Sequence, residues 1–166
     1  MTGLDDLYRK HADDAVRLAY LLTGQRETAE DLAQDAFIRV ARRLAHLRNP
    51  DAFGSYLRQT IVNLANSHFR RRRIERVFLS QQEGLAERHT EQGDPQGPVI
   101  LRATVKAQLL RLPVRQRTAI VLRFSEDLSD GQIAEILHTS PGNARQLIYR
   151  GMTSLREHLE VQPHGN

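Results

Sequence analysis

The spacing of apolar residues is the feature that most constrains the fold of this chain. Mostly apolar side chains recur at intervals of three and four residues, first as Leu4, Leu7, Tyr8, Ala15, Leu18 and Leu22, with His11 in the same register. This is the period of an amphipathic α-helix. Glycine and proline lie mostly between such runs, and aromatic residues make up only 5% of the chain, which argues against a sandwich or a barrel. The sequence therefore predicts an all-α fold.

A polar stretch without helical periodicity divides the chain. Residues 77–98 contain the segment QQEGLAERHTEQGDPQG, which has few large apolar residues to offset the entropy lost on ordering. We expect a flexible polar linker there, between one small helical domain at residues 1–76 and another at residues 99–160. A length of 166 residues accommodates two such domains and excludes a large multi-domain enzyme.

Several absences limit the chemistry. The chain has no cysteine, which excludes a disulfide, a thiolate zinc site and a cysteine nucleophile. It also lacks a phosphate-binding glycine loop, a Gly-x-Ser-x-Gly elbow and a His-Glu-x-x-His zinc motif. We expect neither catalysis nor a cofactor. No signal peptide and no apolar run long enough to span a membrane are present, so a cytoplasmic protein is expected.

Polar residues before the apolar runs carry the signals of helix starts. Thr28, with an acidic residue three positions later, resembles a capping box, and Asp51 is expected to cap a third helix. Ser129 is expected to cap a short helix over residues 130–137, and Ser140 to cap the helix that follows it.

The charged residues are segregated along the chain. Residues 1–37 hold eight acidic residues and four basic ones, whereas residues 39–76 hold ten Arg and two acidic residues. Residues 102–156 hold nine basic residues and four acidic ones. Two basic regions of this kind fit the binding of a polyanion, and solvated helix faces are the alternative.

Two helices have polar faces that suit contact with a partner or with water. The second predicted helix has an apolar stripe that includes Ala33, Phe37 and Val40, and its other face is acidic, which suits a protein partner or water. The third helix ends in four consecutive arginines, residues 70–73. The helix dipole is complemented by one or two cations, so the arginine run favours contact with a nucleic acid or another polyanion.

The end of the chain has the plan of a helix-turn-helix. A short helix, a turn at residues 138–140 and a longer helix follow each other, and Ala144, Ile148 and Leu155 fall on one face of the longer helix. Its other face carries Arg145, Gln146, Tyr149 and Arg150. Arginine binds guanine and glutamine binds adenine in the major groove, so this face favours DNA recognition.

Three segments, in order along the chain, resemble those of a known family. They are AEDLAQDAFIRVARRL (29–44), AFGSYLRQTIVNLANSHFRRRR (52–73) and LPVRQRTAIVLRFSEDLSDGQIAEILHTSPGNARQLIYRGMTSLR (112–156). These segments are similar to the core-binding, minus-ten and minus-thirty-five segments of bacterial RNA polymerase sigma factors of the extracytoplasmic-function type, in particular the actinobacterial SigE-like subfamily. The resemblance implies a subunit that binds core RNA polymerase and directs it to promoter DNA.

The resemblance also assigns roles to individual residues. The clamp helices of the largest polymerase subunit would contact Asp31, Gln34, Asp35 and Ile38. Asn63 would hold a flipped minus-ten base, beside Tyr56 at a position where the family commonly has Trp. The other minus-ten contacts would come from Arg58, Asn66, Arg70, Arg71, Arg72 and Arg73. The minus-thirty-five contacts would come from Ser140, Arg145, Gln146, Tyr149 and Arg150.

The resemblance leaves some features to be settled. His138 occupies a turn position where the family usually has Gly, which implies a left-handed residue. Gln146 and Leu147 replace the usual Ser and Arg, so the promoter sequence is not implied. An anti-sigma factor is a further partner that the family implies. The alternative function is a stand-alone helix-turn-helix regulator of transcription, which would need neither the acidic face nor a base-binding Asn63.

Overall fold

The computed structural model describes residues 3–46, 49–83 and 99–160, and within these ranges it contains helices and no strand. The prediction of an all-α fold is therefore confirmed. The two 3-10 turns are Leu44–His46 and Pro50–Ala52. The α-helices are α1 (Leu4–Thr23), α2 (Arg26–Arg43), α3 (Phe53–Glu83), α4 (Val99–Arg111), α5 (Val114–Phe124), α6 (Asp130–Leu137) and α7 (Pro141–Glu160).

The chain divides into two compact units. Among the described residues, the first contains residues 3–20, 25–46 and 49–83, and the second contains residues 99–160. Residues 21–24, at the end of α1 and the turn after it, group with the second unit. Most of the predicted linker, residues 84–98, lies outside the described residues.

The core of the first unit forms where the apolar stripes of α1, α2 and α3 meet. Tyr8 of α1 contacts Phe37 of α2 at a ring-centroid distance of 5.1 Å, and Phe37 contacts Phe53 of α3 at 5.9 Å. Leu57 and Ile61 continue the buried stripe along α3. Because these residues recur every three or four positions, the stripe leaves the opposite faces of α2 and α3 in solvent.

The starts of α2 and α3 differ from the predicted ones. Thr28 does not cap α2, which begins at Arg26 after Gln25; the Thr28 hydroxyl instead donates to the Gln25 side-chain oxygen at 2.8 Å. Asp51 is not the cap of α3 but lies in a 3-10 turn, and its backbone N–H donates to Asn49 Oδ1 at 3.0 Å. Thr28 thus lies inside α2, three residues after the N-cap Gln25, whereas Asp51 lies two residues before the first residue of α3.

The helix α3 is longer than expected. It continues through Arg76, the predicted end of the first domain, to Glu83. No glycine or proline occurs between Gly54 and Gly84, and polar residues alone do not end a helix once it has formed, because each added residue gains one backbone hydrogen bond. Residues 77–83, predicted to belong to the linker, are therefore helical.

The second unit contains the predicted helix-turn-helix. Ser129 caps α6 in a complete capping box with Gln132, and His138 ends α6 in the left-handed conformation at φ 54°. The N–H of Asn143 donates to Ser140 Oγ at 3.1 Å at the start of α7. These predictions are confirmed. The last helix packs against α4, α5 and α6 through a face that includes Ala144 and Leu155.

No helix in the described part of the chain is long and apolar enough to cross a membrane.

Candidate functional site

The exposed face of α2 is the first candidate surface. Asp31, Gln34 and Ile38 are exposed and Asp35 is half-buried, whereas Phe37 and the alanines of the other face are buried. The helix thus brings the four predicted polymerase-binding residues onto one side. Ile38 is 45% exposed, which leaves an apolar side chain in solvent next to Asp35 on this face.

The sequence pattern did not identify Arg39 as a partner of this face. Arg39 donates from Nε to Asp35 Oδ1 at 3.0 Å, so the Asp35 carboxylate is paired within α2. The spacing of four residues between opposite charges on a helix was the available signal. Both side chains are largely solvated, so this ion pair stabilises α2 by at most about 1 kcal/mol. Asp35 can therefore leave Arg39 and pair with a basic side chain of a partner.

A groove of about 1070 Å³ lies between α2 and α3 and is the second candidate surface. It brings together residues that the sequence assigned to two separate functions, because Asp35 and Ile38 line it together with Tyr56 and Asn63. The residues of its wall that sequence reasoning missed are Arg39, Val40, Arg42, Arg43, His46, Thr60, Leu64 and Ser67. Their contribution depends on how the two helices pack, which no local pattern reveals.

The chemistry of the groove suits an unpaired nucleotide. Tyr56 is 51% exposed and offers a ring for stacking. The Asn63 side-chain oxygen accepts from Gln59 Nε2 at 3.1 Å, which turns the Asn63 amino group into the available donor. Arg42 and Arg43 supply positive charge for phosphates. Single-stranded nucleic acid is bound by this combination of stacking and cationic groups.

The continuous helix α3 separates the predicted minus-ten residues into two sets. Asn63, Asn66, Arg70 and Arg73 are spaced by three, four and three residues and so share one face. Arg72 is nine residues from Asn63, which at about 100° per residue puts it on the opposite side. Arg71 lies to one side of the shared face. Arg58, five residues before Asn63, also lies off the shared face, and its charge lowers the pKa of His11 of α1.

The helix-turn-helix is the third candidate surface. All four predicted readers of α7 are exposed, with Tyr149 at 72%. Ser140 is exposed at the helix start, and its oxygen accepts from the Asn143 N–H, which leaves the hydroxyl hydrogen to donate. Sequence reasoning missed the partner of Arg145, which donates from Nε to Asp130 Oδ2 at 3.1 Å. The two are fifteen residues apart, so only the packing of α6 on α7 brings them together.

Comparison with known proteins identifies the family to which these surfaces belong. The family model for Sigma-70 region 2 matches residues 7–74, and the model for Sigma-70, region 4 matches residues 102–155. The chain is 30% identical to the ECF RNA polymerase sigma factor SigW of Bacillus subtilis, over 93% of this chain and 86% of that protein. The chain belongs to the extracytoplasmic-function sigma factors. Such subunits direct RNA polymerase to specific promoters.

A second relative supports the subfamily of this sigma factor. This chain is 37% identical to the ECF RNA polymerase sigma factor SigE of Mycolicibacterium smegmatis over 96% of this chain, and it spans 62% of that relative. The resemblance to SigE-like sigma factors is thus confirmed. The match to region 2 also decides against the stand-alone regulator, because a helix-turn-helix protein acting alone would account only for the region 4 half.

The fold of the sigma factor has a counterpart among solved structures. It is similar to a chain in the co-crystal structure of the sigma factor RpoE with the anti-sigma factor NepR from Bartonella quintana. The TM-score is 0.76, the likeness covers 95% of this chain and 98% of that one, and the sequence identity is 21%. At this identity the likeness establishes the helical fold.

Proposed function

We propose that the sigma factor binds core RNA polymerase through the exposed face of α2, captures melted minus-ten bases in the groove between α2 and α3, and reads the minus-thirty-five element with α7. The observation that carries the proposal is the arrangement of α2, which has one face buried in the core and an acidic face containing Ile38 left in solvent. An exposed Ile38 side chain adds little to the stability of the folded domain, whereas a docking surface can bury it.

The polymerase contact follows from the chemistry of the α2 face. Ile38 provides apolar area at one end of this face, and Asp31 and Asp35 provide charge along the preceding turns. Apolar contact gives an interface much of its affinity, while surrounding charges steer the encounter and select the partner. The proposed partner is the pair of clamp helices of the largest polymerase subunit, which would present basic side chains to these carboxylates.

The minus-ten contact follows from the groove. Taking a base out of the DNA stack costs a few kcal/mol, which a pocket must offset by stacking and hydrogen bonds. Tyr56 supplies the ring, and the Asn63 amino group, oriented by Gln59, supplies a donor. Asn66, Arg70 and Arg73 would then follow the phosphates along the same face of α3. Arg58, Arg71 and Arg72 lie off that face and would contribute through the general positive potential.

The minus-thirty-five contact follows from α7. Its exposed Arg145, Gln146, Tyr149 and Arg150 project from a helix whose other face is buried, as a recognition helix requires. Ser140 and the backbone N–H groups at the start of α7 would hold a phosphate. In this function the chain acts in the cytoplasm, with the polymerase, and performs no catalysis and needs no cofactor of its own.

An anti-sigma factor is the further partner that we propose. RpoE of Bartonella quintana, which shares this fold, was crystallised in complex with the anti-sigma factor NepR. A protein that covers the α2 face or α7 would keep this sigma factor from polymerase or from promoter DNA.

The test is binding of the full chain to bacterial core RNA polymerase without DNA, measured by fluorescence anisotropy. Reversing both charges in the Asp31→Arg, Asp35→Arg variant should weaken binding by at least about tenfold, because like charges would then face each other across the interface. The Asp13→Arg, Glu135→Arg variant is the matched control. It has the same net charge change on exposed residues of α1 and α6, and it should bind like the wild type.

Two results would contradict the proposal. If the folded wild-type chain does not bind core polymerase, the chain does not act as proposed. If both double variants lose binding equally, net charge rather than the α2 face controls the interaction.

A further inference from the structure

Asp130 lies between two arginines at the start of the helix-turn-helix. Its Oδ2 accepts from Arg145 Nε at 3.1 Å, and its Oδ1 forms an ion pair with Arg123, the second-to-last residue of α5. The three residues come from three different helices, α5, α6 and α7. One carboxylate therefore ties the proposed base reader of α7 to the body of the second unit.

The carboxylate in this cluster is held firmly. Asp130 is the first residue of α6, directly after Ser129, and the reciprocal bonds between Ser129 and Gln132 fix the backbone there. The Asp130 side chain is only 22% exposed, whereas that of Arg145 is 74% exposed. A partly desolvated carboxylate binds a guanidinium more strongly than a fully solvated one does. The partner of Arg145 is thus rigid, while Arg145 itself stays accessible.

The contact leaves the recognition groups of Arg145 available. A guanidinium has five N–H donors, and the bond to Asp130 uses only the one on Nε. The two terminal amino groups form the planar fork that binds O6 and N7 of guanine together. An arginine without such a restraint pairs readily with phosphates, which surround every base pair and carry no sequence information. Fixing Nε therefore favours the specific contact over the unspecific one.

We propose that Asp130 is a positioning residue that makes Arg145 selective for a guanine in the minus-thirty-five element. This inference rests on the proposed function, in which α7 reads that element. Asp130 does not contact the base; it acts through Arg145. Its negative charge also opposes DNA phosphates, so its removal should strengthen unspecific binding while it weakens discrimination.

The experiment measures sequence preference with the holoenzyme, formed from the full chain and bacterial core RNA polymerase. A pool of DNA duplexes randomised across the promoter is selected by binding and sequenced. Four variants are compared with the wild type. They are Asp130→Asn, Arg145→Ala, the double variant with both changes, and Arg123→Gln. The last is the matched control, because it removes the other ion pair of Asp130 and leaves the contact with Arg145.

The expected result separates positioning from a structural role. The wild type enriches guanine at one upstream position, and Asp130→Asn lowers that preference by roughly tenfold. The preference for the minus-ten sequence, which the first unit is proposed to determine, stays unchanged in every variant. The double variant matches Arg145→Ala, because Asp130 has no effect on sequence preference once its arginine is gone. Arg123→Gln retains the guanine preference even where its thermal unfolding shows a loss of stability.

Three results would overturn the inference. In the first, Asp130→Asn keeps the wild-type preference. In the second, Arg123→Gln and Asp130→Asn lose the preference equally, which would mean that stability of the unit is responsible. In the third, Arg145→Ala leaves the upstream preference intact. A wild-type chain that fails to bind core polymerase would instead overturn the proposed function; the same selection with the chain alone would then test Asp130.

Discussion

His11 is a half-buried titratable side chain beside the core of the first unit. Its ring lies 5.5 Å from that of Phe53, and a Cβ added at Gly54 would come within 3.0 Å of His11 Cε1. Burial lowers the pKa of His11 from 6.5, and the charges of Lys10 and Arg58 lower it further, against the opposing effect of Asp14. The folded protein therefore favours the neutral imidazole.

This shift predicts a pH dependence of stability. Because the unfolded chain binds a proton at His11 near pH 6.5 and the folded chain does so only at lower pH, acidification through 6.5 favours unfolding. The contribution of His11 to stability is complete above pH 6.5 and is lost as the pH falls towards the lowered pKa. Urea denaturation of the wild type between about pH 8 and about pH 5 should show the decline.

The variant His11→Gln identifies the source of this dependence. Glutamine does not titrate, so the variant should be less stable than the wild type at the upper end of the range and should lose less stability on acidification. An equal decline in both proteins would show that other groups are responsible.

At the scale of the element, the close packing of α7 on α5 depends on a glycine. A Cβ at Gly151 would lie 2.4 Å from Ile120 Cδ1, and Ile120 is buried. Alanine is favoured over glycine inside a helix by about 1 kcal/mol, but forcing extra atoms into a packed core costs about 1–3 kcal/mol. The packing cost should therefore exceed the gain in helix propensity.

Gly151→Ala should consequently lower the free energy of unfolding by about 1 kcal/mol. In an Ile120→Val background, which lacks Cδ1, the same change should become neutral or stabilising, because the added methyl group fills the space that was opened. Gly142→Ala is the control, since no atom outside its immediate surroundings lies within 4 Å of a Cβ there. Thermal unfolding measures these differences in the wild type, Gly151→Ala, Ile120→Val, the variant with both changes, and Gly142→Ala. Equal effects of Gly151→Ala in both backgrounds would contradict the contact with Ile120.

At the scale of the whole molecule, the proposed function divides the work of DNA binding between the two units. Arg73 of α3 lies on the face of Asn63 and is assigned to phosphates, whereas Arg145 of α7 is assigned to a base. A phosphate contact adds affinity and salt dependence for every sequence, while a base contact discriminates among sequences. Substituting Arg73 should therefore lower the affinity for all DNA sequences, whereas substituting Arg145 should lower the discrimination among them.

Binding of the holoenzyme to promoter DNA at several salt concentrations tests this division. Arg73→Ala should weaken binding to all sequences evenly and reduce the slope of log K against log salt by about one. Arg145→Ala should cost about 1–3 kcal/mol on the preferred sequence and much less on others. In the double variant the free-energy losses should add, because the residues lie in separate units.

Arg72→Ala is the matched control for Arg73→Ala. It removes the same charge from the neighbouring residue, but α3 directs that side chain away from Asn63. Its effect on the salt slope should be smaller. Equal slopes for the two variants would mean that the arginine run acts through its total charge, and that its orientation on the helix is irrelevant.

The sequence by itself determined the class of the fold, both ends of α6, the start of α7, and the exposure of the residues proposed to bind polymerase and DNA. These properties are local: an apolar period of 3.6 residues, a capping serine or a left-handed turn depends on neighbours within about one helical turn. The same locality explains the errors at Thr28, Asp51 and Arg76, since competing caps and continued helix growth differ by small free energies.

Only the tertiary structure decided which surfaces those residues form. The groove that joins Ile38 to Asn63, the contact of Asp130 with Arg145 and the space beside Gly151 all bring together residues from different helices. Such contacts depend on the angle and register at which helices pack, and these are set by the fit of the whole core. No spacing in the sequence contains that information.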